Sequence, residues 1–256
     1  MKRALVSFQG PCPLKCKHCY TPELNRASLS DTKEVVNSIK GTDAEIIYVS
    51  HDYENFYNQG KGIELCEKLF DKYHTHLMII TRMNLDDDII KRLSALSVRM
   101  ENEEKRLIFA ESIFATDSYR ISESEICAPP RARIETLKKV KAKGIPTILM
   151  LRPVFPEKYV CLDEYKELLD SVKGYVDAVV TSGLIVTERI LETLRISDEM
   201  DYGVNLGSEY LSSLENTNYV NVENELKFIV NECRKRNLRC YLHSMNAVEE
   251  IVEGFH

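Results

Sequence analysis

Short apolar runs recur along this chain and alternate with charged segments in which apolar residues return every three or four positions. The runs fall at residues 4–8, 44–50, 76–81, 107–112, 146–153 and 176–181, with cores such as IIYV, LMII, LIFA, TILML and AVV. A strand with one wet face alternates apolar and polar positions. These cores barely alternate, which suits strands covered on both faces of a parallel sheet.

The intervening segments predict helices over residues 31–40, 62–73, 86–96, 131–143 and 163–172. Ser30 is placed to cap the first, Pro129 and Pro130 introduce the fourth, and Lys143–Gly144 reads as its stop. Asp86, Asp87 and Asp88 open the third, where negative charge favours the N-terminal dipole. Six βα units in series predict an α/β fold: a partial parallel (βα)6 barrel over residues 1–181. Beyond Thr181 the pattern loosens into a helix at 187–194, a long amphipathic helix at 221–236, a short strand at 239–243 and a last helical turn at 246–252. No Gly-, Pro- or Ser-rich linker and no repeat interrupts the chain. Residues 182–256 are therefore expected to form an extension that closes the open side of the barrel and shapes a substrate pocket.

Composition narrows the class. Of 256 residues, 44% are hydrophobic, enough for a substantial core, and the formal charge is −6. Tight duplex binding usually needs a basic face, so this balance disfavours a nucleic-acid partner without excluding a local basic groove. The opening MKRALVSFQG lacks the form of a secretory signal, and no apolar stretch approaches a membrane span. The expectation is a cytoplasmic protein whose eight cysteines serve metal or chemistry rather than disulfides.

The strongest chemical signal is Gly10-Pro-Cys-Pro-Leu-Lys-Cys-Lys-His-Cys-Tyr20, which sets Cys12, Cys16 and Cys19 at Cys-x3-Cys-x2-Cys directly after the first strand. Thiolates are the usual protein ligands of iron–sulfur clusters, and three ligands on four irons leave one iron open. The loop lies at the strand's C-terminal end, the face that carries barrel active sites. A zinc knuckle is the alternative, with His18 as fourth ligand, although such sites usually come as two pairs of ligands.

Cys12, Cys16 and Cys19 followed by Tyr20 resemble the signature loop of radical S-adenosylmethionine enzymes, and the (βα)6 pattern is similar to their partial barrel. The resemblance implies a [4Fe–4S] cluster on these three cysteines. It also implies S-adenosylmethionine chelated to the open iron, cleavage to a 5′-deoxyadenosyl radical, and hydrogen abstraction from substrate. Tyr20 would then pack by the adenine. Three further segments resemble the spore photoproduct lyase and "DNA repair photolyase" branch: IYVSHD (residues 47–52), HLMIITRMNLDDDIIKRLSAL (76–96) and APPRARIETLKKVKAKGIPTILMLRPVFP (128–156). That branch carries a hydrogen-donor cysteine three residues before the motif Asp, where this chain has Val49. Cys127 is a candidate displaced donor, the one catalytic residue the sequence suggests.

Polar residues at the remaining strand ends are candidates for holding the cofactor. Asp52 can accept from an amino group or ribose, or simply cap a turn. Thr81 and Arg82 end the third strand, and Glu111, Ser112 and Thr116 end the fourth. In the resembled superfamily that position touches the ribose and methionine, which makes Ser112 a candidate. Arg152 ends the fifth strand, where a guanidinium can clamp a carboxylate or form a structural ion pair. Cys66 falls on an apolar helical stripe and belongs in the core, Cys161 has no evident partner, and Cys233 and Cys240 lack the compact spacing of a second cluster. The run Lys138, Lys139, Lys141 and Lys143 reads as a solvated face.

Three functions compete. The first is a radical enzyme on a peptide or small-metabolite substrate, fed by an external electron donor such as flavodoxin or ferredoxin. The second is a radical enzyme on a nucleic acid or nucleotide. The third is a non-enzymatic iron–sulfur or zinc regulator. The acidic charge, the absent donor cysteine and the short extension favour the first.

Overall fold

A computed structural model describes residues 1–23, 28–39, 43–196, 202–203 and 218–254. The strands are, in chain order, β1 (Arg3–Val6), β2 (Ile46–Val49), β3 (His76–Thr81), β4 (Leu107–Ser112), β5 (Thr147–Val154), β6 (Ala178–Gly183), β7 (Ile185–Val186), β8 (Tyr202–Gly203), β9 (Asn218–Val220) and β10 (Cys240–Tyr241). The helices are α1 (Thr32–Ser38), α2 (Gln59–Tyr73), α3 (Asp87–Glu101), α4 (Pro130–Lys141), α5 (Leu162–Val172), α6 (Glu188–Leu194), α7 (Glu223–Lys235) and α8 (Ser244–Glu253). One parallel sheet runs β1-β2-β3-β4-β5-β6-β10, and β7, β9 and β8 form a small antiparallel sheet after it. This is the α/β architecture read from the apolar runs, a parallel sheet left open between β1 and β10.

Why the strands look continuously apolar follows from how their two faces are covered. Ile47, Val49, Leu77, Ile79, Leu107, Phe109, Leu149, Leu151 and Val179 pack outward with residues of α1 to α5 and α7. Their neighbours Ile46, Tyr48, Met78, Ile80, Ile108, Ala110, Ile148, Met150, Ala178 and Val180 pack on the opposite face with Ala247 and Val248 of α8. Successive side chains in a strand point to opposite faces, so a sheet buried on both sides needs apolar residues at every position. The C-terminal segment thus supplies both β10, at the edge beside β6, and α8, against the inner face.

Element ends follow their caps, and several differ from the pattern-based bounds. Asp31, rather than Ser30, caps α1: its carboxylate accepts from Glu34 N at 3.0 Å. The expected end of that helix at Lys40 lies outside the described residues. α2 starts at Gln59 instead of Gly62, because Asn58 Oδ1 accepts from Lys61 N at 3.1 Å. α3 continues to Glu101, five residues past Leu96, because Ser97 and Met100 carry its buried face onward. Pro130 opens α4, and Gly144 after its end sits at φ +80, a conformation that favours glycine. β5 runs through Pro153, and its pairing with β6 shifts between Leu151 and Val154, where proline can donate nothing to the ladder. No described helix is long and apolar enough to cross a membrane.

Candidate active site

The loop after β1 is pinned before it carries any chemistry. Gly10 has φ +129, and the chain turns there next to a two-way bridge in which Gln9 N donates to Leu29 O at 2.8 Å and Leu29 N to Gln9 O at 3.0 Å. Phe8 N donates to Asn55 Oδ1 at 3.0 Å. Leu14 is buried at the centre of a small cluster with Cys16 and Cys127, against which Cys12, Cys19 and Met83 pack. Lys17 N donates to Ser122 O at 2.7 Å, and Cys19 N to Cys16 O at 3.1 Å. From the far side, Arg189 of α6 donates to Cys19 O and, at 3.1 Å, to Glu23 Oε1, while Thr187 Oγ1 donates to the same carboxylate at 2.6 Å.

Behind the loop lies a buried charge network. Glu123 binds both Arg82 and Arg133, and Arg133 also donates to Ser112 O. Arg133 and Glu123 are fully buried as side chains. Burial alone would raise the Glu123 carboxyl; Arg133 and Arg82 outweigh it and hold it below the usual range. Arg82 Nη2 also reaches His18 Nε2 at 3.4 Å. A guanidinium only donates, so Nε2 accepts, and the ring proton sits on Nδ1, which donates to Ser122 Oγ at 3.0 Å. Burial and then Arg82 push the imidazole down to about 3, so the ring is neutral. Both nitrogens of His18 thus face protein partners.

Two more carboxyls sit nearby. Glu54 accepts from Thr81 Oγ1 at 2.8 Å, Arg82 N at 2.8 Å and Phe56 N at 3.0 Å, yet burial still raises its pKa. Glu111 is wholly buried, and neither of its oxygens has a hydrogen-bond partner. Burial drives its pKa well above the usual value despite Arg133 and Arg82.

In front of the loop opens a cavity of about 1420 Å³. Cys12, Cys16, Cys19, Tyr20, Asp52, Thr81, Ser112 and Arg152, which are spread over most of the chain, all lie on its wall. The parallel sheet explains the convergence: Thr81 and Ser112 end β3 and β4, Arg152 lies near the end of β5, and the cysteines, Tyr20 and Asp52 lie on the loops that follow β1 and β2. Asp52 is paired with His51 at 3.5 Å. The hydroxyl of Thr81 donates to Glu54 and accepts from Met83 N at 3.0 Å, so it braces the turn after β3. Burial lowers the pKa of the Arg152 guanidinium; Tyr20 and Tyr48 oppose that shift, while Arg82 and Arg3 add to it. Cys127 does not line the cavity; it lies against Cys16, with the two sulfurs 3.6 Å apart.

The three motif thiols fit an iron–sulfur cluster. They are the only kind of donor the loop offers to the cavity besides His18, which is already engaged. Among the described residues, no three Cys, His, Asp or Glu side chains close on a single metal ion. A cubane takes each thiolate on a different iron, so its ligands ring the cluster instead of converging on one point.

Sequence reasoning missed the buried network. Glu123 lies in a polar stretch with no apolar periodicity, and Arg133 is a charged residue on a helix whose apolar positions are Ile134, Leu137 and Val140, so neither is marked out as buried. It also missed the latch from α6, whose contacts join residues more than 160 positions apart. The only available hint was Arg82, a charge directly after a buried strand. Lys138, Lys139 and Lys141 do lie on an outer face, paired with Glu135, Asp87 and Asp177, and Cys66 is fully buried in the core. Cys233 and Cys240, set apart in sequence, share a side-chain hydrogen bond.

No protein-family model matches the chain, and no curated protein matches it. Solved structures do. A spore photoproduct lyase, solved as a point mutant, superposes with a TM-score of 0.58 at 12% identity, covering 91% of this chain and 78% of that one. The radical S-adenosylmethionine methyltransferase TsrM from Kitasatospora setae, solved with cobalamin and a [4Fe–4S] cluster, gives 0.53 at 13% identity over 72% of this chain and 34% of its own. Methylornithine synthase (PylB) gives 0.54 at 16% identity, over 75% and 56%. This chain therefore has the fold of radical S-adenosylmethionine enzymes, and it spans about a third of TsrM and just over half of PylB.

Proposed function

We propose that this protein is a radical S-adenosylmethionine enzyme acting on a peptide or small-metabolite substrate. The observation that carries the reading is the gathering of Cys12, Cys16, Cys19 and four polar or aromatic candidates, Tyr20, Asp52, Ser112 and Arg152, on one cavity wall. A [4Fe–4S] cluster with S-adenosylmethionine, given one electron by a donor such as flavodoxin or ferredoxin, would supply the chemistry of hydrogen-atom abstraction from the substrate.

The chain's own residues have the remaining work. Cys12, Cys16 and Cys19 hold three irons. Tyr20 offers a face for the adenine. Asp52 would accept from the ammonium group, and Arg152 would pair with the carboxylate, which would offset the burial of its charge. Ser112 has a hydroxyl for the ribose or methionine. Thr81 acts through Glu54 and holds the turn that bears Arg82. The cavity exceeds the 300–1,000 Å³ or so of a typical ligand pocket, which leaves room for a substrate beside the cofactor. Arg3, Lys15 and Lys17 on its wall have no carboxylate partner among the described residues, so a substrate bearing a carboxylate or phosphate would find balancing charge there.

The test is anaerobic incubation of the reconstituted protein with a reductant, S-adenosylmethionine and candidate substrates. Formation of 5′-deoxyadenosine that depends on the three cysteines, with deuterium transferred from labelled substrate, is expected. A loaded cluster that never cleaves the cofactor would point to the regulatory alternative.

A further inference from the structure

Cys127 is the one cysteine outside the signature that the fold brings to it. It sits 111 residues after Cys16 in the chain, is 1% exposed, and places its sulfur 3.6 Å from Cys16 Sγ. Its position is built rather than incidental. Cys127 N donates to Ser124 O at 3.2 Å, and Ala128 N donates to Arg82 O at 3.2 Å, which ties this loop to the end of β3. On the other side, Lys17 N and His18 Nδ1 bind Ser122 O and Ser122 Oγ at 2.7 and 3.0 Å, which ties the same loop to the cysteine motif. The 3.9 Å contact of Ser124 Oγ is the other polar neighbour of the Cys127 sulfur.

We propose that the Cys127 thiol is a positioning residue of the metal centre: it donates an S–H···S hydrogen bond to the Cys16 thiolate and raises the reduction potential of the cluster. The inference rests on the proposed role of Cys16 as an iron ligand. Between two free thiols either sulfur can be the donor. A sulfur bound to iron has lost its proton, so in the loaded protein only Cys127 has a hydrogen to give. Hydrogen bonds to ligand sulfurs and exclusion of water are among the main means by which a protein sets a cluster's potential. A donor stabilises the more negative, reduced state, which shifts the potential upward. Burial of both sulfurs keeps water from substituting for the bond.

Two other roles fit less well. A hydrogen-atom donor must reach the substrate, and Cys127 lies behind Cys16, off the cavity wall. A fourth iron ligand would have to reach a different iron, yet Cys127 is in contact with the sulfur that already serves one.

The test is a potentiometric titration of the anaerobically reconstituted full-length protein, followed by the EPR signal of the reduced cluster. Wild type, Cys127→Ala, Cys127→Ser and Cys66→Ala are compared, with iron and sulfide counted in each. The expected result is a lower midpoint potential in C127A, a midpoint nearer to wild type in C127S, whose hydroxyl can still donate, and no change in C66A. A C127A midpoint equal to that of wild type overturns the inference. So does failure of both C127A and C127S to take up a cluster that C66A accepts, because the thiol would then be needed for ligation or assembly. If wild type itself takes up no cluster, the proposed function fails instead, and the two failures are distinguishable by iron content alone.

Discussion

Two buried carboxyl groups, Glu123 and Glu111, show how strongly a single residue's surroundings set its chemistry. Two guanidiniums hold Glu123 below the usual carboxylate range, while burial without a donor drives Glu111 above it. Breaking the first pair is expected to be costly: Arg133→Met leaves Glu123 buried with one partner fewer, a change worth about 3–5 kcal/mol, measurable as a lower denaturant midpoint. Glu111 makes a signed pH prediction. Its folded pKa lies above its unfolded value, so its contribution is fully present below about 4.3, the unfolded pKa, and is lost as pH rises through the folded pKa. The slope is at most about 1.4 kcal/mol per pH unit. Glu111→Gln keeps the shape without the titration. Urea unfolding at a series of pH values should show the variant gaining on wild type as pH rises from 5 to 8; parallel curves would mean that Glu111 does not titrate as its burial implies.

At the scale of elements, the parallel sheet was legible because its two covered faces write the same signal into each strand, and the Cys-x3-Cys-x2-Cys loop was legible because its three cysteines are close in sequence. The small sheet of β7, β9 and β8 was not, since two- and three-residue strands carry no periodicity. Nor was the true start of α8, which begins at Ser244 and presses Ala247 and Val248 into the sheet's inner face, where the pattern gave only a turn over 246–252. The hardest feature to foresee was α6 as a latch. Thr187 caps that helix by accepting from Ile190 N at 3.3 Å, and the same hydroxyl donates to Glu23. Thr187→Ala should cost about 1 kcal/mol for the lost cap. Arg189→Ala should loosen the loop at Cys19 and speed loss of iron to a chelator, with little change in overall stability. Equal chelation rates would show that the latch does not restrain the cluster loop.

For the molecule as a whole, convergence is the main result: a parallel sheet carries the ends of distant strands to one cavity, and the cysteine loop forms part of its wall. Arg152→Gln and Ser112→Ala should weaken S-adenosylmethionine binding with iron content unchanged, because neither side chain is placed to ligate iron. Net charge bears on the nucleic-acid alternative. With a formal charge of −6, affinity for nonspecific duplex DNA should be weak at physiological salt. Tight binding that falls steeply with salt, as released counterions require, would favour that alternative. The central claim is that Cys12, Cys16 and Cys19 hold one cluster with a corner open to the cofactor. It is tested most directly by counting iron and sulfide in anaerobically reconstituted protein and recording the EPR spectrum of the reduced form with and without S-adenosylmethionine. About four irons per chain, a spectrum that changes when the cofactor is added, and loss of both in the triple Ala variant of these cysteines are predicted. Four irons retained in that variant, or a single zinc in the wild type, would contradict it.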